Sequence, residues 1–378
     1  MFEECKEITS LDLSHFNTSN AKSFKNMFKE SINIKSIIFG NWDTNNVVDL
    51  SSMFESCKNL QSVDLSNFDT KNVKNMSQMF EGCSSLTSLI ITNIDTENVE
   101  DMTSLFSNSG FKSLNLQWRT KSVKFMKKMF LNMKDVTQIT LGNSFITDNV
   151  ETMEGMFQDC SNLKSVDSTT HFNVENVQSF ENFLNGCSEL TNFDVSNFVT
   201  KSALTMNQMF SSCTKLETIN LINFDTSQVT DMFHMFNGCT NLQSLNLIKF
   251  NTMSVLNING MFQNCKSLKS LDLSKFKTNY VEDMSMMFSG LENLESIDVS
   301  SFNTQFVFYF YQTFANLKKI KTIDISNFKT EYCLDFSEMF KGCESLTYID
   351  LSGFKTKYAY DMNAMFDGCS SLTSINAL

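Results

Sequence analysis

The chain has 378 residues, a formal net charge of −12, 37 phenylalanines, 23 methionines and no proline. At an average usage of about 5% a chain of this size would carry roughly 19 prolines, so proline-rich linkers, collagen and flexible Gly/Ser chains are excluded, and a 42% hydrophobic content argues against disorder. The acid excess disfavours a nucleic-acid surface, which needs clustered Lys and Arg, and adsorption to anionic lipid. No apolar run reaches the roughly 18 residues of a membrane span. The first ten residues show no basic stretch followed by an apolar one, as a signal peptide would. The eleven cysteines form no C-x-x-C pair and no Cys/His cluster with zinc spacing, so neither a metal nor a cofactor is expected.

Met-Phe pairs organise everything else. They recur from Phe2, Phe28, Phe54, Phe80 and Phe106 through Phe130, Phe157 and Leu184 to Phe210 and onwards to Phe366, with a step of 26 except between Phe106 and Leu184. One template fits throughout: M-F-x-x-C-x-x-L-x-S-L-D-L-S-N-F-D-T-x-x-V-x-x-M. Within each coil, S-L-D-L-S alternates with period two and reads as a short strand; in one coil Leu271 and Leu273 face inward while Ser270, Asp272 and Ser274 face outward. An aromatic closes the strand (Phe16, Trp42, Phe68, Trp118 and others), and a threonine follows it (Thr18, Thr44, Thr70 and onwards). The stretch V-x-x-M-x-x-M-F-x-x-C then places apolar residues at i, i+3, i+6, i+7 and i+10. That spacing predicts a helix of about three turns with the threonine as its N-cap. Ten cysteines share one template position and Cys333 stands at the valine position, so all eleven read as small buried apolar residues, and buried free thiols are expected rather than a disulfide ladder.

The expected fold is therefore α/β: a right-handed, leucine-rich-repeat-like solenoid of about fourteen strand–helix coils with one parallel sheet. A single coil cannot offset its own ordering entropy, and stacking supplies the rest. Residues 1–378 are expected to form one repeat domain, irregular over about 106–190, where Ser109 and Met133 replace Cys. The chain starts inside a repeat and ends on a strand running to Leu378, with no polar cap at either end, as a fragment of a longer protein would.

The runs Phe54–Thr70, Phe80–Val99 and Phe340–Thr356 resemble the leucine-rich repeats of BspA-like surface proteins, most closely the variety common in mycoplasmas, other low-GC bacteria and some parasitic protists. The resemblance covers essentially the whole chain. It implies a non-catalytic, cell-surface or extracellular binding protein of adhesin type, and it carries over no catalytic residues.

Two columns are candidate sites. On the outward strand face, Asp272, Asp298, Asp324 and Asp350 form an unbroken acidic run, which reads either as a solvated face or as an attractor for a cationic partner. The second column lies two residues after the threonine. It is Asn or Ser through most of the array (Asn20, Asn46, Asn72, Asn98, Ser254) and then becomes Tyr280, Phe306, Tyr332 and Tyr358. Phe308, Tyr309, Tyr311 and Tyr360 occupy other normally polar places, and all seven tyrosines lie after residue 279. Such rings either stack as a stiffening ladder or form a partner-binding patch. His15, His171 and His234 occupy scattered positions, and no nucleophile elbow, HExxH or phosphate loop occurs, so no enzymatic activity is expected. The expected partner is a protein or glycan, with no nucleic acid; the alternative is a structural or intracellular interaction scaffold.

Overall fold

The computed structural model describes residues 1–91 and 94–377. The run Phe80–Val99 is thus described except for Thr92 and Asn93, and Leu378 also lies outside the described residues. The chain divides into two compact units, Met1–Val177 and Gln178–Leu378.

Both units are built from stacked coils, about fourteen in all. In the first, the strand positions form seven short strands: β1 (Ser10–Asp12), β2 (Ser36–Ile38), β3 (Ser62–Asp64), β4 (Ser88–Ile90), β5 (Ser113–Leu116), β6 (Gln138–Leu141) and β7 (Ser165–Asp167). They pair in parallel with equivalent residues opposed, for example Leu11 with Ile37 and Val63 with Leu89. In the second unit β8 (Tyr348–Asp350) and β9 (Ser374–Asn376) pair likewise. The single sheet expected from the template is replaced by several small ones, β1–β2, β3–β4, β5–β6–β7 and β8–β9.

The larger correction concerns the helices. Among the described residues there is no α-helix, and one short 3-10 turn (Thr169–His171) is the only helical element. The stretch read as a helix is a chain of tight turns. In the coil of Phe28, Met27, Lys29 and Ser31 donate their N–H groups to the carbonyls three residues back, whereas Phe24, Asn26, Phe28 and Glu30 donate to Asp49, Ser51, Met53 and Glu55 of the next coil at 2.7–3.0 Å. The second unit repeats this at Phe310, Gln312, Phe314 and Asn316. A helix would direct all of these donors along its own axis. Residues two before and two after each Phe adopt left-handed backbone, such as Asn26 (φ 55) and Glu30 (φ 58), and a right-handed helix cannot accommodate that. Turns closed every three residues put apolar side chains at a spacing of three, which short helical periodicity imitates.

The residue five before each Phe makes the break explicit. These residues form a second column of parallel bridges, Ser23–Asp49–Asn75–Asp101–Phe125–Thr152 in the first unit and Ser179–Thr205–Asp231–Asn257–Asp283–Tyr309–Asp335–Asp361 in the second. Most accept the N–H two residues on, as Asp49 does from Ser51 at 2.8 Å and Asp283 from Ser285 at 2.7 Å. This is an Asx turn, in which the side chain replaces a backbone acceptor.

The threonine column likewise has another role than capping. Thr44 Oγ1 donates to Asp69 O (3.0 Å) and accepts from Asp69 N–H (2.7 Å) in the next coil. Thr304 does the same with Lys329, at 3.0 and 2.7 Å. Both of these buried hydroxyls thus bond one coil to the next in both directions, whereas Thr96 and Thr147 donate across the coils.

Inside, the Met-Phe phenylalanines stack. Ring centroids from Phe28 to Phe54, Phe80 and Phe106 lie 5.4–5.7 Å apart with planes within 9°, and Phe314, Phe340 and Phe366 continue the pattern in the second unit. Such offset pairs add about 0.5–1.5 kcal/mol beyond burial. All eleven cysteines are free thiols, and nine are buried. They are more than apolar filler: Cys57, Cys83 and Cys265 donate Sγ–H to the carbonyls of Phe28, Phe54 and Phe236 in the preceding coil at 3.0–3.1 Å. Burial pushes the thiols of Cys57 and Cys160 up to about 12, which suppresses the reactive thiolate.

Thr304→Val keeps the shape and removes both inter-coil bonds. The expected cost is about 1–3 kcal/mol, read as a lower midpoint in urea unfolding; an unchanged midpoint would mean that the hydroxyl ladder contributes nothing.

Candidate binding surface

The aromatic column follows from the coil geometry. Val281, Val307 and Cys333 point into the core and are buried. Each donates its N–H to the threonine three residues back (Thr278, Thr304 and Thr330) and so closes a tight turn, with the preceding residue on the outside of the turn. Tyr280, Phe306, Tyr332 and Tyr358 thus form one exposed row, and Glu282, Phe308, Leu334 and Tyr360 form a second row beside it. The backbone aligns the second row coil on coil: Phe308 N–H donates to Glu282 O, Leu334 to Phe308 O and Tyr360 to Leu334 O, each at 2.8 Å.

The exposures are high for rings: 59% for Tyr280, 47% for Phe306, 53% for Tyr332, 51% for Tyr358 and 70% for Tyr360. Tyr332 and Tyr358 stack at 6.4 Å and 18°, with Lys357 Nζ 5.1 Å from the Tyr358 centroid. Phe308 and Tyr309 meet at 6.5 Å, tilted by 60°. Desolvation, and then the charges of Asp335 and Tyr309, hold the Tyr360 hydroxyl above the usual phenol range. Tyr280 and Phe306 make no ring stack among the described residues. Tyr311 lies half-buried on the turn segment three residues before Phe314, outside both rows.

At most other coils the first row has a structural task. Asn46, Asn72, Asn98 and Asn176 donate Nδ2–H to carbonyls of the preceding coil at 2.7–2.9 Å. Gln228 and Ser254 do the same at 3.0 and 3.2 Å. Among the described residues, Tyr280, Phe306, Tyr332 and Tyr358 stand at this position without making the inter-coil bond, which the Phe ring has no donor for. Tyr309 similarly stands where the other coils of its unit carry a turn-capping Asp, Asn, Ser or Thr. Leu334 belongs to the same face, and no sequence signal singles it out, because Val48, Leu204 and Leu256 occupy the same template position in other coils and are also exposed.

The acidic column has a local explanation. Asp272, Asp298, Asp324 and Asp350 accept the N–H groups of Ser274, Ser300, Ser326 and Ser352 at 2.8–3.0 Å. They therefore turn the chain at the strand end. Hydrogen bonds from these serines hold all four carboxyls below the usual Asp range. Neighbours oppose this, since Asp272 pushes Asp298 up and Asp298 and Asp350 push Asp324 up. Asn220 and Asn246 make the same turn in other coils, at 3.2 Å, so the geometry needs the oxygen and not the charge. No group of three or more His, Cys, Asp or Glu able to hold a metal ion is found among the described residues, and no helix there is long and apolar enough to cross a membrane.

Because folding lowers these carboxyls, their contribution to stability is complete above the ordinary Asp value of 3.8 and is lost as the pH falls through the lowered values. Replacing all four by Asn keeps the turns at every pH. The variant is expected to fold and to lose less melting temperature than the parent between neutral pH and a pH well below 3.8; equal losses would show that these caps do not set the acid response.

Comparison with known proteins gives one family and one fold. The sequence profile of the family described as "Mycoplasma protein of unknown function, DUF285" matches four times, over residues 1–114, 87–198, 186–296 and 268–377. No curated protein matches. Among solved structures, a leucine-rich repeat protein from Bacteroides ovatus aligns with 99% of this chain and 80% of its own, at 17% identity and a TM-score of 0.50. This likeness shows the leucine-rich-repeat type of fold. A second leucine-rich repeat protein, from Eubacterium ventriosum, aligns over 97% of this chain and 90% of its own at 17% identity with a TM-score of 0.45.

Proposed function

We propose, from the premise that the chain belongs to the family described as Mycoplasma protein of unknown function, DUF285, that it is a non-catalytic binding solenoid displayed at the cell surface, which engages a host or matrix protein or a glycan. The observation that carries this reading is the aromatic face. Four successive coils replace an inter-coil hydrogen bond with rings that remain about half exposed. Natural sequences break a local structural rule mainly where function demands it, and exposed clusters of Tyr and Phe are the composition of binding hot spots. The repeat fold supports the reading, since solenoids bind through extended surfaces. The recurrence of one template over residues 1–378, with irregular steps only between Phe106 and Leu184, supports treating the chain as one repeat domain. Surface display rests on the resemblance to BspA-like surface proteins.

Replacing Tyr280, Phe306, Tyr332 and Tyr358 together by Asn rebuilds the bond used elsewhere. The variant is expected to be at least as stable, by up to about 1 kcal/mol per bond restored, yet to lose capture of arrayed matrix proteins and glycans that the parent chain retains. Full capture by the folded variant would overturn the assignment of the site. Surface display is checked on intact source cells: an impermeant biotin reagent should label the protein, and labelling only after lysis would refute it.

A further inference from the structure

His234 stands at the left-handed position two residues before Phe236, with φ 52. Asn26 and Asn182 hold the same place in other coils at φ 55 and 56, and asparagine tolerates that backbone well. The imidazole does what an amide there does not. It stacks on Phe233, with centroids 3.9 Å apart and planes within 17°, and it reaches over the next coil. The equivalent residue in that coil is Gly260, and a Cβ on it would overlap the imidazole Cδ2 and Nε2. Left-handed backbone does not by itself demand glycine here, since Gln208, Met286 and Gln312 adopt it at the same place. The missing side chain of Gly260 is therefore the space that the ring fills.

We infer that His234 and Gly260 form a pH-sensitive joint between two coils of the second unit, closed while the imidazole is neutral and loosened by mild acid.

The surroundings of the ring suit a neutral imidazole and not a charged one. Nε2 is buried without a hydrogen-bond partner among the described residues, as is Oδ1 of Asn259 next to Gly260. The Asn259 amide is held from the other side, where Nδ2 donates to Asp283 at 2.9 Å. The flanking turn segments, 205–212 and 257–264, carry no charged residue. In its own turn the one carboxylate is Asp231, which already accepts Phe233 N–H at 3.0 Å and Asn207 Nδ2 at 2.9 Å. A charge taken out of water without an ion-pair partner is costly, and burial alone holds the imidazole below its ordinary value of 6.5. The ring lies where the coils are joined: Met232, His234, Phe236 and Gly238 donate their N–H groups to Asn257, Asn259, Met261 and Gln263 at 2.8–2.9 Å. A protonated ring that turns out to water uncovers Gly260 beside these bonds.

The direction follows from linkage. Folding lowers this imidazole, so the folded chain holds the proton less well than the unfolded one. Stability is undiminished above 6.5 and falls as the pH drops below it, with the unfolding constant rising by up to about tenfold per pH unit from this one group.

Urea unfolding and amide exchange of the full chain at about pH 7.5 and about pH 5.5, a window in which histidine changes charge, test the joint. The parent is expected to lose midpoint on acidification, and His234→Asn, which restores a residue used elsewhere at this position, to lose less. Corrected for intrinsic rates, protection of the His234, Phe236 and Gly238 amides should fall in the parent at the lower pH, while Gln312, Phe314 and Asn316 keep theirs. Equal losses of midpoint in parent and His234→Asn would overturn the inference, as would a His234 ring resonance that titrates at or above 6.5. Gly260→Ala checks the fit: it should lower the midpoint strongly in the parent and little beside His234→Asn. An equal cost in both backgrounds would show that the ring does not fill that space, and the joint would be refuted.

Discussion

Each coil must satisfy the backbone of the next. In the coil of Phe28, every N–H from Phe24 to Ser31 is bonded: alternate ones to the following coil, the others to a turn three residues back or, for Lys25, to the side chain of Ser23. Proline can occupy none of these positions without orphaning an acceptor. The absence of proline from the whole chain is therefore a direct consequence of this bonding scheme repeated coil after coil. The scheme also accounts for the absence of helices among the described residues, since a donor used outward cannot be used along a helix axis.

The polar residues of the template serve the same constraint. Asp and Asn hold the corners, at the strand end, before the threonine and after the valine, as Asp64, Asp69 and Asp49 illustrate. Much of the acidity is thus turn chemistry, and the carboxylate column along Asp272 to Asp350 needs no ligand to explain it. Thr joins coils through a hydroxyl that both donates and accepts. Cys adds a buried S–H bond to the preceding coil where its burial alone seemed sufficient reason. These are small terms individually, each of order 1 kcal/mol for a neutral bond, but the repeat multiplies them.

Departures from such a regular scheme are informative because the regular residue is known. At the first outward row the rule is an amide or hydroxyl reaching back one coil, and Tyr280, Phe306, Tyr332 and Tyr358 abandon it on consecutive coils. The rings are not absorbed into the core, and only Tyr332 and Tyr358 stack. A purely stiffening ladder would engage all four, so stacking alone does not account for the column.

The sequence by itself determined the repeat, its register, the inward Leu, Met and Phe positions, the buried cysteines and the aromatic column, because side-chain burial is periodic and a template of 26 residues displays that period many times over. It also contained the sign of the missing helix: turn-forming Asp, Asn, Ser and Thr five residues before most of these Phe positions, as at Asp49, Asn75 and Asp101, are poor choices for a helix interior. Only the tertiary structure decided where the backbone donors go. Apolar spacing of three fits a short helix and a chain of tight turns equally well, and the choice between them was made by hydrogen bonds to a neighbouring coil 25 or so residues away. The same distance hid the roles of Thr44 and Asn46, whose partners are adjacent in space and remote in sequence. Which aromatic rings meet was decided there too, because stacking depends on how coils align rather than on which residue each one carries.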